Sequence, residues 1–147
     1  MTTTSGSAKW QGGIKDGKGA ISTKSGALKD YPYGFASRFE GKPGSNPEEL
    51  IGAAHAACFT MAFSFACDAA GFATAAVDTQ AAVRLVLKGG GFSIEHIGLR
   101  LEAGVPGMDE ATFQKIAAKA KQDCPLSKAL ASVPEITLTA ILRQQPA

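Results

Sequence analysis

The sequence predicts an α+β fold, and three observations carry that expectation. A long apolar run opens on the helix-start pattern Asn46-Pro47-Glu48-Glu49 and reaches Gly71. Short glycine-punctuated segments precede it, and two stretches rich in β-formers follow it on either side of Gly89-Gly90-Gly91. The chain has 147 residues, 45% apolar and 19% charged, which suits one globular domain with a real core. A single domain over 1–147 is therefore expected, with Met1 to Ala8 as a flexible tail and no internal repeat.

Taken in order, Lys9 to Ile14, Lys18 to Ser22 and Gly34 to Phe39 resemble a strand meander broken at Gly12-Gly13, Gly17, Gly19, Gly26 and Pro32. Gly41 to Pro47 supplies loop residues. Asn46 then fits the N-cap, Pro47 the first helical position, and Glu49 completes a capping box, so a helix is predicted from about Pro47 to Ala70. Gly71 is the residue type that ends such a helix in a left-handed turn. Ala76 to Lys88 and Ser93 to Glu102 read as a hairpin. Asp109 to Lys121 places Phe113, Ile116, Ala117 and Ala120 on one helical face. Pro125 then starts a short second helix with Cys124 at or beside its cap, and Glu135 to Leu142 alternates as a last strand.

Several function classes are disfavoured. The formal charge of +2 comes from scattered Lys and Arg, without the clustering that a phosphate backbone requires, so no nucleic-acid partner is expected. The segment Leu50 to Phe72 contains His55 and Asp68 and reads as a buried helix rather than a membrane span. The small, polar start of the chain lacks a secretory pattern, so a cytoplasmic protein is expected. Three widely spaced cysteines do not make a disulfide scaffold, and His55 and His96 with those cysteines lack zinc-site spacing. No metal or cofactor is expected.

The thiols are the remaining chemistry. Cys58 lies among Ala53, Ala54, Ala57, Met61 and Ala62, which would bury it and raise its pKa. Two readings fit: a small core residue, or a nucleophile ionised by a nearby guanidinium, for which Arg38 is the candidate. Cys124 is either a cap residue or a reactive thiol favoured by the helix N-terminus at Pro125. Cys67 stands nine residues beyond Cys58, about 180° around and about 13 Å along a helix, so those two cannot bond there. His55 and Cys58, at i and i+3, form a possible hydrolase pair, but the helix interior offers no free N–H for an oxyanion.

The run from Tyr33 to Gly41, the run from Asn46 to Phe59, Val105-Pro106-Gly107 and Cys124-Pro125-Leu126-Ser127 together resemble the OsmC branch of the OsmC/Ohr peroxidases. Trp10, Gly17-Lys18-Gly19 and Ala118 to Lys121 extend the likeness over nearly the whole chain, leaving out the termini and Cys67. The resemblance implies an OsmC-like fold of two intertwined chains. It further implies a thiol-dependent peroxidase acting on organic hydroperoxides, and more weakly on hydrogen peroxide. In it Cys58 is peroxidatic, Cys124 resolving, and Arg38 with Glu48 activates Cys58 and orients peroxide. A dithiol reductant, of lipoyl type, is the implied electron source. The alternatives are an apolar-ligand-binding dimer with structural cysteines, or a hydrolase using Cys58 and His55.

Helix geometry adds one expectation. Glu48 and Cys58 are ten residues apart, about 15 Å along one helix. Two copies of the helix crossing antiparallel near Ala53 would bring Glu48 of one chain, orienting an Arg38, towards Cys58 of the other.

Overall fold

The computed structural model describes residues 1–143, and within it the chain forms two compact units, the first being Met1–Leu50 and the second beginning at Ile51.

In the first unit, β1 (Gly6–Gln11), β2 (Lys18–Thr23) and β3 (Tyr31–Tyr33) form an antiparallel sheet in the order β1-β2-β3. Gly6, Ser7 and Ala8 pair with Thr23, Ser22 and Ile21, so strand pairing begins inside the segment expected to be a flexible tail. β1 stops at Gln11 rather than Ile14, because Gly12 turns the chain with φ +97°. Pro32, which cannot donate to a ladder, sits on the edge strand β3.

The segment Gly34 to Phe39, expected as a strand, is instead the short helix α1 (Phe35–Phe39). The reason is local. The Gly34 N–H donates to Ser37 Oγ at 2.9 Å, the Arg38 N–H to the Gly34 carbonyl at 3.1 Å, and the Phe35 and Phe39 rings pack at 5.0 Å. Those i, i+3 and i, i+4 contacts need a helical turn.

Helix α2 (Pro47–Ala69) begins as expected, with the Glu49 N–H donating to Asn46 Oδ1 at 2.8 Å and the Asn46 N–H to Glu49 Oε1 at 3.2 Å. It ends at Gly71, whose φ of +87° few other residues adopt. Length and composition alone would allow α2 to cross a membrane. Its buried stripe, however, is His55, Phe59, Phe63 and Cys67 at successive i+4 positions, packed within the protein.

In the second unit, β4 (Ala76–Lys88) and β5 (Gly91–Gly104) make the expected hairpin. The final strand β6 (Glu135–Leu142) joins β5 in parallel, giving the order β4-β5-β6. A parallel neighbour needs a crossover, which α3 (Glu110–Asp123) and α4 (Pro125–Ala129) supply. Asp109 caps α3 through the Thr112 N–H at 2.7 Å. Leu99, Leu101 and Ala103 alternate inward from β5 to meet Phe59 and Phe63 of α2 and Phe113, Ala117 and Ala120 of α3. Phe63 and Phe113 meet edge to face at 5.5 Å. Each fully buried phenylalanine contributes about 2–3 kcal/mol of transfer free energy.

Candidate active site

Cys58 and Cys124 are brought together by tertiary structure. Cys58 lies in α2, and Cys124 is at once the C-cap of α3 and the N-cap of α4. Its N–H closes α3 on the Ala120 carbonyl, and its own carbonyl accepts from the Lys128 N–H. The Cys124 backbone is thus held from both sides at the corner between the helices. Cys124 Sγ lies 3.2 Å from Cys58 Sγ, and all three cysteines are free thiols. Cys67 is fully buried in the core, and burial first, then the neighbouring Asp68, pushes its thiol pKa up.

Cys58 is half-buried and Cys124 fully buried. Burial pushes the Cys58 thiol up from its ordinary value, a backbone hydrogen bond from Leu126 pulls it down, and the adjoining Cys124 pushes it up again. The direction and its main cause, burial, agree with the expectation from sequence, but the residues that bury the thiol differ. Ala53, Ala54, Ala57 and Met61 lie on the exposed side of α2, whereas Cys58 packs towards the core cluster with Leu126. The sequence also directs the N-terminal N–H groups of α4 to Cys124; the Leu126 N–H serves Cys58 instead. An N–H that follows Cys124 in sequence can do this because α4 packs against α2.

His55 is fully buried one turn before Cys58. Its Nε2 is hydrogen-bonded to Ser127 Oγ at 2.8 Å, and its Nδ1 finds no partner among the described residues. Burial lowers its pKa, favouring the neutral ring. Ser127 lies in the quoted Cys124-Pro125-Leu126-Ser127 motif, yet sequence reasoning assigns it no role, because nothing local to it points to His55.

In the first unit, Arg38 and Glu48 form a forked ion pair. Arg38 Nη2 donates to Glu48 Oε1 at 2.6 Å, and Arg38 Nε lies 3.2 Å from both carboxylate oxygens. Such charge-assisted forks fix the guanidinium plane as well as its charge. The Phe39 ring supports it, with the Arg38 carbon 5.2 Å from the ring centroid. Ser37 carries α1 to the start of α2: its Oγ is 2.8 Å from the Ser45 carbonyl oxygen, immediately before the Asn46 cap. Gly44 passes so close that a Cβ there would stand 2.8 Å from Ser37 Cβ. The sequence names both charges but not their mutual pairing within one chain.

Residues 39–139 match the family model described as OsmC-like protein. The chain belongs to the OsmC-like family. Peroxiredoxin OsmC of Escherichia coli is 54% identical over 133 residues, covering 90% of this chain and 92% of that protein. An organic hydroperoxide resistance protein of Xanthomonas axonopodis pv. citri is 37% identical over 100 residues, covering 67% of this chain and 68% of the relative. Among solved structures, the organic hydroperoxide resistance protein OsmC of Legionella pneumophila superposes with a TM-score of 0.71 at 27% identity, over 96% of this chain and 98% of that one. An OsmC-like protein from Mycoplasma pneumoniae gives 0.75 at 15% identity over 96% and 97%, a likeness of fold alone. The α+β OsmC-like fold expected from the sequence is therefore the fold observed.

Proposed function

We propose that this OsmC-like chain is a thiol-dependent peroxidase that reduces organic hydroperoxides, working as one OsmC-like domain. The observation that carries the assignment is the approach of Cys124 Sγ to Cys58 Sγ at 3.2 Å, between residues 66 apart in sequence. Two free thiols so placed can give two electrons to a peroxide and, as the disulfide, take two back without a cofactor.

Cys58 is the peroxidatic thiol, being the less buried of the two. Its thiolate attacks the distal oxygen of RO–OH; the S–O bond forms as the O–O bond breaks, and the alkoxide leaves with a proton as ROH. Cys58 is then a sulfenic acid. The Cys124 sulfur attacks the Cys58 sulfur, the S–S bond forms, the S–O bond breaks, and the departing hydroxide takes the thiol proton as water. A dithiol, for which a lipoyl-type compound is the proposed source, returns both cysteines to thiols by exchange.

The proposed activating group is Arg38, oriented by Glu48. Burial holds the Cys58 thiol protonated, and a fixed guanidinium is the kind of charge that reverses this. The rise along α2 separates Glu48 from Cys58 by about 15 Å, so the ion pair of one chain is assigned to Cys58 of a second copy. A homodimer also accounts for the outer face of α2, where Ala53, Ala54 and Ala57 continue into Met61, 76% exposed, and Phe65, 78% exposed. A cytoplasmic setting is part of the proposal, since three widely spaced cysteines do not make the disulfide scaffold of an oxidising compartment.

The test is consumption of alkyl and aryl hydroperoxides with a panel of dithiols and monothiols, followed by peptide mapping. Turnover should be best with a dithiol, and limited peroxide should yield a Cys58–Cys124 disulfide. Cys124→Ser should react once and arrest as sulfenic acid, whereas Cys58→Ser should not react. A bridge to Cys67, or equal turnover by both variants, would refute the assignment of roles.

A further inference from the structure

His55 is a buried polar group that the reaction above does not use. It is fully buried, and one ring nitrogen has no partner among the described residues. A residue there for packing alone could be leucine or methionine, which would bury no unpaired nitrogen. What the imidazole adds is its 2.8 Å bond to Ser127.

That bond has a specific place. On α2, His55 precedes Cys58 by three residues, and at the other segment Ser127 follows Cys124 by three. The two segments are therefore joined by two side-chain rungs of matched spacing running in opposite chain directions: Cys58 to Cys124 at 3.2 Å and His55 to Ser127 at 2.8 Å. The cysteine rung changes at every turnover, from thiols to sulfenic acid to disulfide. The sulfurs must close from 3.2 Å to about 2.05 Å, across a site that has just gained an oxygen atom. The His55–Ser127 rung need not change at all.

We propose that His55 and Ser127 are the positioning pair of the disulfide-forming step, holding α4 on α2 so that Cys124 reaches Cys58 before a second peroxide does. The proposal rests on the peroxidase reading above. Neither residue touches the reacting atoms; they act through the placement of Cys124. Condensation competes with further oxidation of the Cys58 sulfenic acid to sulfinic acid by peroxide, so the ratio of the two outcomes reports that placement. A displacement of about 1 Å costs up to about a hundredfold in rate, so loss of one rung should slow condensation by about tenfold.

Rapid mixing with limiting organic hydroperoxide separates Cys58 oxidation from disulfide formation, and mass spectrometry over a peroxide series gives the sulfinic fraction. Ser127→Ala should leave the first phase unchanged, slow the second about tenfold, and over-oxidise at about tenfold lower peroxide. Ser127→Thr, which keeps the hydroxyl, should restore the second phase. If Ser127→Ala destabilises the fold by stranding the imidazole, His55→Leu/Ser127→Ala removes both polar partners and should show the same selective defect. An unchanged second phase in the soluble variants, or both phases slowed equally, overturns the proposal. Cys124→Ser run in parallel separates the layers. If it fails to arrest as sulfenic acid, the disulfide mechanism itself falls; if it arrests while Ser127→Ala behaves as the parent, only the positioning pair falls.

Discussion

Two cysteines separated by sixty-six positions lie 3.2 Å apart, and what each does depends on its surroundings more than on its identity. Cys58 is pushed towards the neutral thiol chiefly by burial, with only the Leu126 N–H acting in the opposite sense. The sign is direct: a raised thiol pKa means less thiolate at neutral pH and slower nucleophilic attack, with recovery as pH rises through that pKa. If Arg38 reverses the shift in the assembled enzyme, Arg38→Met should move the midpoint of a pH-titrated Cys58 alkylation rate upward. Peroxide consumption should then fall most near neutrality, roughly tenfold for each pH unit of midpoint shift, and recover in alkali. An unmoved midpoint would remove Arg38 from the activating role. At this scale the sequence was informative about residue types, naming Cys58, Cys124, Arg38 and Glu48. It was silent on Ser127, because a serine near a helix start is indistinguishable from an ordinary capping residue until its partner is known.

Among the elements, α2 was the most legible, because its start and stop are both written in local chemistry. Asn46 and Glu49 satisfy each other's backbone N–H groups, and Gly71 takes the left-handed turn. Asn46→Ala removes the 2.8 Å cap and should cost about 1 kcal/mol. That corresponds to a fall of about 3 °C in Tm for a chain of this size, with the thiol chemistry kept, and calorimetry beside a peroxide assay checks both. The hairpin β4–β5 was legible for the same reason, glycines breaking two apolar runs. Helix α1 was not, since five residues give barely more than one helical period, and aromatics at Phe35 and Phe39 read equally well as strand formers. Its turn depends on Ser37, whose hydroxyl serves Gly34 and Ser45 together. The parallel pairing of β6 with β5 was equally beyond local pattern, since alternation shows that a strand exists but not its neighbour.

For the whole molecule, the working unit proposed is a pair of chains. The outer face of α2, with Met61 and Phe65 exposed, is the surface on which that proposal rests, and the Arg38–Glu48 fork is the group it assigns to the second copy's Cys58. Mixing Glu48→Gln dimers with Cys58→Ser dimers under subunit exchange tests this, provided each is inactive alone. A heterodimer should regain one intact site of two, about half of the parent activity per dimer. Exchange without recovery would show that Glu48 acts only within its own chain. By itself the sequence determined the α+β class, the limits of α2, the hairpin, the amphipathic face of α3, and the exclusion of Cys67 as a partner for Cys58 along their common helix. All of these follow from periods of two and 3.6 residues and from caps a few residues long, interactions that neighbouring positions settle among themselves. Only the tertiary structure decided that Cys124 meets Cys58 at 3.2 Å, that Leu126 rather than a residue near Cys58 in sequence donates to its sulfur, and that His55 holds Ser127. Those contacts join segments dozens of residues apart, and they exist because the crossover from β5 to β6 lays α4 against α2, a placement set by burial of the common core and not by any local pattern.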